Sequence, residues 1–380
     1  MINQKIWLSS PHMGGNEQKY VQEAFDANWV APLGPNVTGF EQDLEQYIKE
    51  DKYVAALSSG TSAIHLALIL LGIKAGDEVI CQSFTFSASA NPILYQGATP
   101  IFVDSEPETW NICPTALEKA IKNRITKGTK PKAIIAVHLY GMPFKVDEVK
   151  ALAYQYEIPI IEDSAEGLGS SYKGKRCGTF GEIGILSFNG NKIITTSGGG
   201  ALVASTKEIK DKAVFFATQS RDDAPHYQHS EIGYNYRLSN ICAGIGRGQM
   251  EVLDKHIALR RKMHDFYMNY FENIDGVIVF HEPSADYYSN HWLSAILIDS
   301  SKTNGKKRED LRLALEKENI ESRPLWKPMH LQPVFQKYPY YGGKIAQQLF
   351  EDGLCLPSGS NLIENDRERI SRVFNVFFNR

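Results

Sequence analysis

The chain has no apolar run near the roughly 20 residues needed to span a bilayer. It also has no excess of charge of either sign. Its 41 Lys and Arg stand against 44 Asp and Glu, a formal net charge of -3 over 380 residues. That balance argues against general attraction to nucleic acid or to an anionic membrane, so an acidic ligand would need a local site. Cysteine pairing is lacking too. Cys81, Cys113, Cys177, Cys242 and Cys355 are scattered, odd in number and without metal-ligand spacing. They read as reduced thiols in a reducing compartment, with no bound metal expected. The opening Met-Ile-Asn-Gln-Lys has none of the basic-then-apolar build of a signal peptide, so a cytoplasmic protein is expected. Internal repeats and low-complexity linkers are absent.

What is present is a large apolar fraction, 43%, enough for a substantial core. At roughly 100–200 residues per domain, the length suggests two or three domains. Apolar runs alternate with helical patterns through the first two-thirds. Strands are expected over 54–57, 78–82, 101–104, 133–137, 159–163, 184–188 and 201–204, with helices over 61–71, 87–95 and 147–156. Such alternation predicts a mostly parallel sheet wrapped by helices. After about residue 244 the texture changes. One long helical stretch to 271 precedes strands over 277–280 and 292–297 and helices over 308–317 and 366–378. We divide the chain into a large α/β domain, 1–250, and a smaller α+β domain, 251–380.

In open α/β sheets, ligands sit outside the carboxyl ends of the strands. Four strand ends carry chemistry. Ser58-Ser59-Gly60-Thr61-Ser62 opens a helix with small residues, where unpaired N–H groups can bind phosphate. Helix capping alone would also account for it. Ser83-Phe84-Thr85-Phe86 offers an aromatic face that could stack on a flat ring or simply pack. Glu162-Asp163-Ser164-Ala165-Glu166 places carboxylates after an apolar strand, where each needs a partner. A protonated ring nitrogen would serve, as would a nearby Arg or Lys. Ser187-Phe188-Asn189-Gly190-Asn191-Lys192 puts a lysine in a tight polar turn, either a surface hairpin or a cofactor lysine. Together they supply what pyridoxal 5'-phosphate (PLP) needs: a phosphate anchor, a stacking face, a counter-ion for N1 and an amine for C4′. The run Gly198–Gly200 lacks the spacing of a dinucleotide-binding turn.

With these segments stand Ala63-Ile64-His65-Leu66, Val137-His138-Leu139-Tyr140-Gly141 and Gly233-Tyr234-Asn235-Tyr236-Arg237-Leu238-Ser239. On all of them the chain resembles the DegT/DnrJ/EryC1/StrS sugar aminotransferases along essentially its whole length. The resemblance implies the aspartate-aminotransferase type (type I) PLP fold. It makes Lys192 the covalent anchor and Asp163 the partner of the ring nitrogen. Phe86 would stack on the ring, Gly60, Thr61, Ser62 and Ser187 would hold the phosphate, and His138 would lie near the cofactor. Asn235 would reach the phosphate from a second subunit, implying a homodimer with shared sites. Glu166 would also adjoin the cofactor, but many members carry Gln or His there. A carboxylate cannot donate a hydrogen bond unless protonated, which leaves the role of this position open.

Two further stretches, 10–17 with 28–34 and 322–327 with 355–359, resemble one branch of the family. That branch aminates C4 of UDP-2-acetamido-2,6-dideoxy-4-ketohexose, as in bacillosamine synthesis. The implied reaction takes nitrogen from L-glutamate, through pyridoxamine phosphate, for surface-glycan sugars. By this likeness Asn28, Trp29, Val30, Ala31, Arg323, Pro324, Leu325, Trp326 and Lys327 would contact the nucleotide sugar, with His330 nearby. Trp29, Pro324 and Trp326 would equally suit interface packing. Arg237 joins Arg323 and Lys327 as a candidate cation for the diphosphate. GDP- or dTDP-linked ketosugars remain the alternative substrates, and a non-enzymatic sugar-binding relative is a more distant one.

Overall fold

The structure is a computed structural model that describes residues 4–379. Seven apolar segments form strands in the chain up to residue 204. They are β1 (Tyr53–Leu57), β2 (Glu78–Gln82), β3 (Thr99–Val103), β4 (Ala133–Val137), β5 (Ile160–Asp163), β8 (Ile183–Ser187) and β9 (Gly200–Ala204). Between β5 and β8 lies a short hairpin, β6 (Ser171–Tyr172) and β7 (Lys175–Arg176), which pairs with β11 (Tyr287–Tyr288). β2 and β4 are wholly buried, which fits strands covered by helices on both faces.

The second half contributes β10 (Val277–Val279), β12 (Ser294–Ile298), β13 (Arg323–Pro324), β14 (Tyr340–Tyr341) and β15 (Gly353–Leu356). The large sheet runs β1-β9-β8-β5-β4-β2-β3-β14, eight strands in all. β9 pairs antiparallel with both of its neighbours, and the other pairings are parallel. The carboxyl ends of β1, β2, β5 and β8 therefore open on one edge, which gathers the four motifs. A second sheet, β10-β12-β15-β13, is antiparallel throughout.

The helices are α1 (Glu17–Asp26), α2 (Pro35–Ile48), α3 (Gly60–Leu70), α4 (Asn91–Tyr95), α5 (Pro114–Thr126), α6 (Val146–Tyr156), α7 (Lys207–Ala217), α8 (Asn240–Met250), α9 (Leu253–Phe271), α10 (Arg308–Lys317), α11 (Ile345–Asp352) and α12 (Glu364–Phe378). One core of Leu66, Phe102, Ile135 and Leu202 lies under α3 and α7. Another, with Ile80, Ile134 and Phe144, lies under α5 and α6. Tyr267, Ile296, Leu356 and Phe374 centre the smaller unit. Among the described residues no helix is long and apolar enough to cross a membrane.

Three expectations change. The helix over 87–95 divides into a 3₁₀ turn at Ser87–Ser89 and α4, whose first turn holds Pro92. Proline has no N–H to continue a preceding helix. The single stretch from 244 to 271 is two helices, α8 and α9, meeting at Glu251 and Val252. And the C-terminal part is not wholly separate, because β14 returns to the large sheet beside β3.

Candidate active site

A cavity of 610 Å³ opens at the carboxyl edge of the large sheet, where residues of the smaller unit close over it. Gly60, Thr61, Phe86, Asp163, Glu166, Ser187, Lys192, Arg323, Pro324 and Trp326 all line it. The sequence had separated these residues by up to most of its length.

The first turn of α3 forms one wall. Ser59 caps the helix, its Oγ accepting the N–H of Ser62 at 3.0 Å. The N–H groups of Gly60 and Thr61 precede any intrahelical bond and so remain available to an anion. The backbone is packed closely here. A Cβ on Gly60 would come within 3.2 Å of Ser187 Cβ, and one on Gly200 within 2.3 Å of Gly60 N. Ser62 lies behind this surface. Its hydroxyl meets those of Ser58 and Ser59 at 3.1 and 2.8 Å, which gives it a capping role rather than a place on the cavity wall.

Asp163 ends β5. Its carboxylate accepts Ser89 Oγ at 2.6 Å and Ala165 N at 3.1 Å. It is 4% exposed and has no ion-pair partner among the described residues. A buried carboxylate held by two neutral donors and aimed at a cavity fits a cationic ring nitrogen. Phe86, 56% exposed, presents its ring to the same space, 5.5 Å from the ring of Trp326. These residues fit PLP: an anion cradle, an aromatic wall, a carboxylate and, in Lys192, an amine.

Lys192 sits in a turn closed by its own N–H to Asn189 O at 3.0 Å. Its Nζ lies 3.1 Å from Glu166 Oε1 and 4.2 Å from the ring centre of Trp292. Glu166 is buried, and its other oxygen accepts the N–H of Tyr140 at 2.7 Å. Burial pushes this carboxyl up to about 7, against the pull of Lys192 and the Tyr140 N–H, while Asp163 pushes it further up. Glu166 thus carries its charge above about pH 7 and is neutral below. When charged it pairs with the Lys192 amine at 3.1 Å, and that pair must part before the amine can reach a carbonyl. Glu166→Gln is therefore expected to attach PLP about tenfold faster than the native protein above this pH, with the two rates converging below it. Stopped-flow absorbance across pH checks this, and parallel profiles would remove the braking role.

Other sequence-predicted residues lie elsewhere. His138 is on the opposite face of the sheet. Its Nε2 donates to Glu162 Oε1 at 2.7 Å and its Nδ1 accepts Phe144 N at 3.3 Å. Successive side chains of β5 point to opposite faces, so Glu162 cannot share the cavity with Asp163. Arg237 is bonded to Glu41 and to Ala56 O, and so is not a free cation for a diphosphate. Leu325 is buried in an apolar cluster with Phe84 and Trp292. Lys327 is exposed outside the cavity. His330 stacks on Tyr340 at 3.7 Å and bonds Ser83 Oγ at 2.7 Å. Asn28, Trp29 and Val30 are exposed, with Ala31 partly so. Asn240 holds that loop at the start of α8, outside the cavity, through Trp29 O and Ala31 O. Asn235 is exposed and likewise outside it.

The cavity also contains residues the sequence reading had not singled out: Trp7, Ser9, Trp292 and Glu321. Asn189 and Asn191 line it as well, and their position beside Lys192 was a usable signal. Trp292 had no local signal, since it reaches Asn191 O across 101 residues.

Comparison with known proteins agrees with this geometry. The DegT/DnrJ/EryC1/StrS aminotransferase family matches residues 11–375. EpsN of Bacillus subtilis (strain 168), whose name assigns it provisionally to the pyridoxal phosphate-dependent aminotransferases, is 53% identical over 376 residues, covering 98% of this chain and 95% of that protein. GDP-perosamine synthase of Escherichia coli O157:H7 is 39% identical over 373 residues, 98% of each chain. The crystal structure of a DegT DnrJ EryC1 StrS aminotransferase from Brucella abortus superposes with a TM-score of 0.89 at 29% identity, covering 96% of both chains. The chain belongs to the DegT/DnrJ/EryC1/StrS aminotransferase family and is a PLP-dependent aminotransferase.

Proposed function

We propose that the chain moves the amino group of L-glutamate to C4 of a UDP-linked 2-acetamido-2,6-dideoxy-4-ketohexose. The observation that carries this is the layout of one cavity. Lys192 and Asp163 stand at its sheet end, and Arg323, Trp326 and Trp7 stand along the wall from the smaller unit. Arg323 has a side chain 67% exposed, paired at 2.8 Å with Glu321 alone among the described residues. Its guanidinium remains accessible to a diphosphate, and the indoles suit a sugar or a base.

Bound PLP supplies the carbonyl carbon that receives the amine and the electron sink that makes the adjacent proton acidic. The chain supplies the rest. Asp163 holds a proton on the ring nitrogen. Lys192 Nζ takes the proton from Cα of the donor and returns it one carbon away, which requires a flexible amine within reach of both. Phe86 and Trp326 limit access of water from one side. Asn235 and most of the 28–31 loop are exposed outside the cavity, and by the family resemblance we read the working enzyme as a homodimer in which each copy completes the other's site.

The 39% identity to GDP-perosamine synthase favours a second reading, a GDP-linked 4-ketosugar. Assay of UDP-, GDP- and dTDP-linked 4-ketosugars with glutamate separates the two, with product configuration read by NMR. Turnover of the UDP substrate at least about tenfold above the others is expected, and preference for GDP would replace our reading. Arg323→Ala should raise KM for the nucleotide sugar about tenfold or more and leave that for glutamate unchanged, since a charge-assisted bond contributes roughly 1.5–3 kcal/mol.

A further inference from the structure

The largest fully buried side chain belongs to Arg260, on α9. It is 1% exposed and has no carboxylate partner among the described residues. An unpaired buried cation is unfavourable, and burial alone pushes this guanidinium down to about 9. Its Nε has no hydrogen-bond partner among the described residues. Packing does not require such a group, because an apolar side chain would fill the space without that penalty.

Of the four contacts it makes, one is to Lys192 and two are to residues that hold the turn beside it. Nη1 donates to Trp292 O at 2.7 Å and Ser358 O at 3.1 Å. Nη2 donates to Ser9 Oγ at 3.0 Å and approaches Lys192 O at 3.5 Å. Two of these partners also grip the preceding residue: Ser9 Oγ and Trp292 Nε1 both donate to Asn191 O, at 2.7 and 2.6 Å. One helical turn earlier on α9, the buried His256 lies beside the backbone of Ile193. The main chain at 191–192 is therefore held from three separate parts of the chain.

We propose that Arg260 is a positioning residue for Lys192, locking the lysine turn and Trp292 to each other so that the amine is fixed between the indole and Glu166. It touches no reacting atom and acts through the backbone. The backbone carbonyls of Trp292 and Lys192 share one guanidinium, and the Trp292 indole is tied in turn to Asn191 O, so the turn and the ring under Nζ are coupled. The inference rests on Lys192 being the PLP lysine.

The first measurement is borohydride trapping of PLP on the native protein, with the modified peptide identified by mass spectrometry. Trapping elsewhere than Lys192 overturns both the site assignment and this inference. Trapping at Lys192 upholds the assignment, and the variants then decide the inference alone. Arg260→Met keeps bulk without donors, and Arg260→Lys keeps charge with fewer of them. The rate of covalent PLP attachment is read by absorbance and normalised to the folded fraction from circular dichroism. Attachment is expected to slow by about tenfold to a hundredfold in Arg260→Met, as small misplacements of a reacting group do, and by less in Arg260→Lys. A structural role alone would lower the melting temperature and leave the normalised rate at the native value, and that result overturns the proposal. Should Arg260→Met not fold, Ser9→Ala and Trp292→Phe cut the Asn191 tethers with Arg260 in place. Slower attachment in both supports the proposal, and native rates in both overturn it.

Discussion

Lys192→Ala is expected to yield a colourless protein that retains PLP weakly, forms no borohydride-stable adduct and has lost at least about 10³-fold in amino transfer. The size follows from what the residue does. Proton transfer by a positioned side chain contributes roughly 10²–10⁴-fold, and covalent capture of the cofactor is lost as well. Among the described residues, Lys192 is the lysine that lines the cavity. Exogenous methylamine should restore part of the transfer rate if the missing function is proton transfer. A variant that transaminates at the native rate would remove Lys192 from the mechanism.

Asp163→Asn should separate binding from chemistry. The amide oxygen would still accept Ala165 N, and the amide NH2 could donate to Ser89 Oγ once that hydroxyl turns, so the fold and the covalent attachment should persist. The amide cannot hold a proton on the ring nitrogen, and a buried preorganised charge is usually the larger part of such catalysis. Transfer should fall by about 10²-fold or more with the yellow colour intact. Single-turnover absorbance with glutamate would place the loss in the proton-transfer step. Near-native turnover would show that the carboxylate serves structure alone.

How much of this was legible beforehand depended on distance along the chain. Lys192, Asp163, Phe86 and Gly60 were readable because each follows its own strand, and parallel strands must end on one edge. Glu166 was visible as a carboxylate near the ring, but its chemistry depends on burial and on Tyr140 N–H, neither of which is written locally. Arg237 looked available because Glu41, which takes its charge, stands 196 residues away. His138 failed on a parity of one: its partner Glu162 adjoins Asp163 in sequence and faces the other way in space. In the fold, the helix at 35–48 was within reach, since Val37, Phe40, Leu44 and Ile48 recur at helical spacing and are all buried. The return of the chain to the large sheet was not, because Tyr340-Tyr341 is too short to announce itself.

That return constrains how the molecule comes into being. β14 pairs with β3, and the Asp104 carboxylate at the end of β3 accepts N–H groups from Gly343, Ile345 and Ala346. The first of these bonds closes a loop of 239 residues. A nascent chain emerging from the ribosome can build β1 through β9 early, yet its sheet keeps a raw edge at β3 until the last tenth is made. Exposed edges of this kind recruit other strands. A fragment cut near residue 250 would inherit an open edge and an unclasped carboxylate.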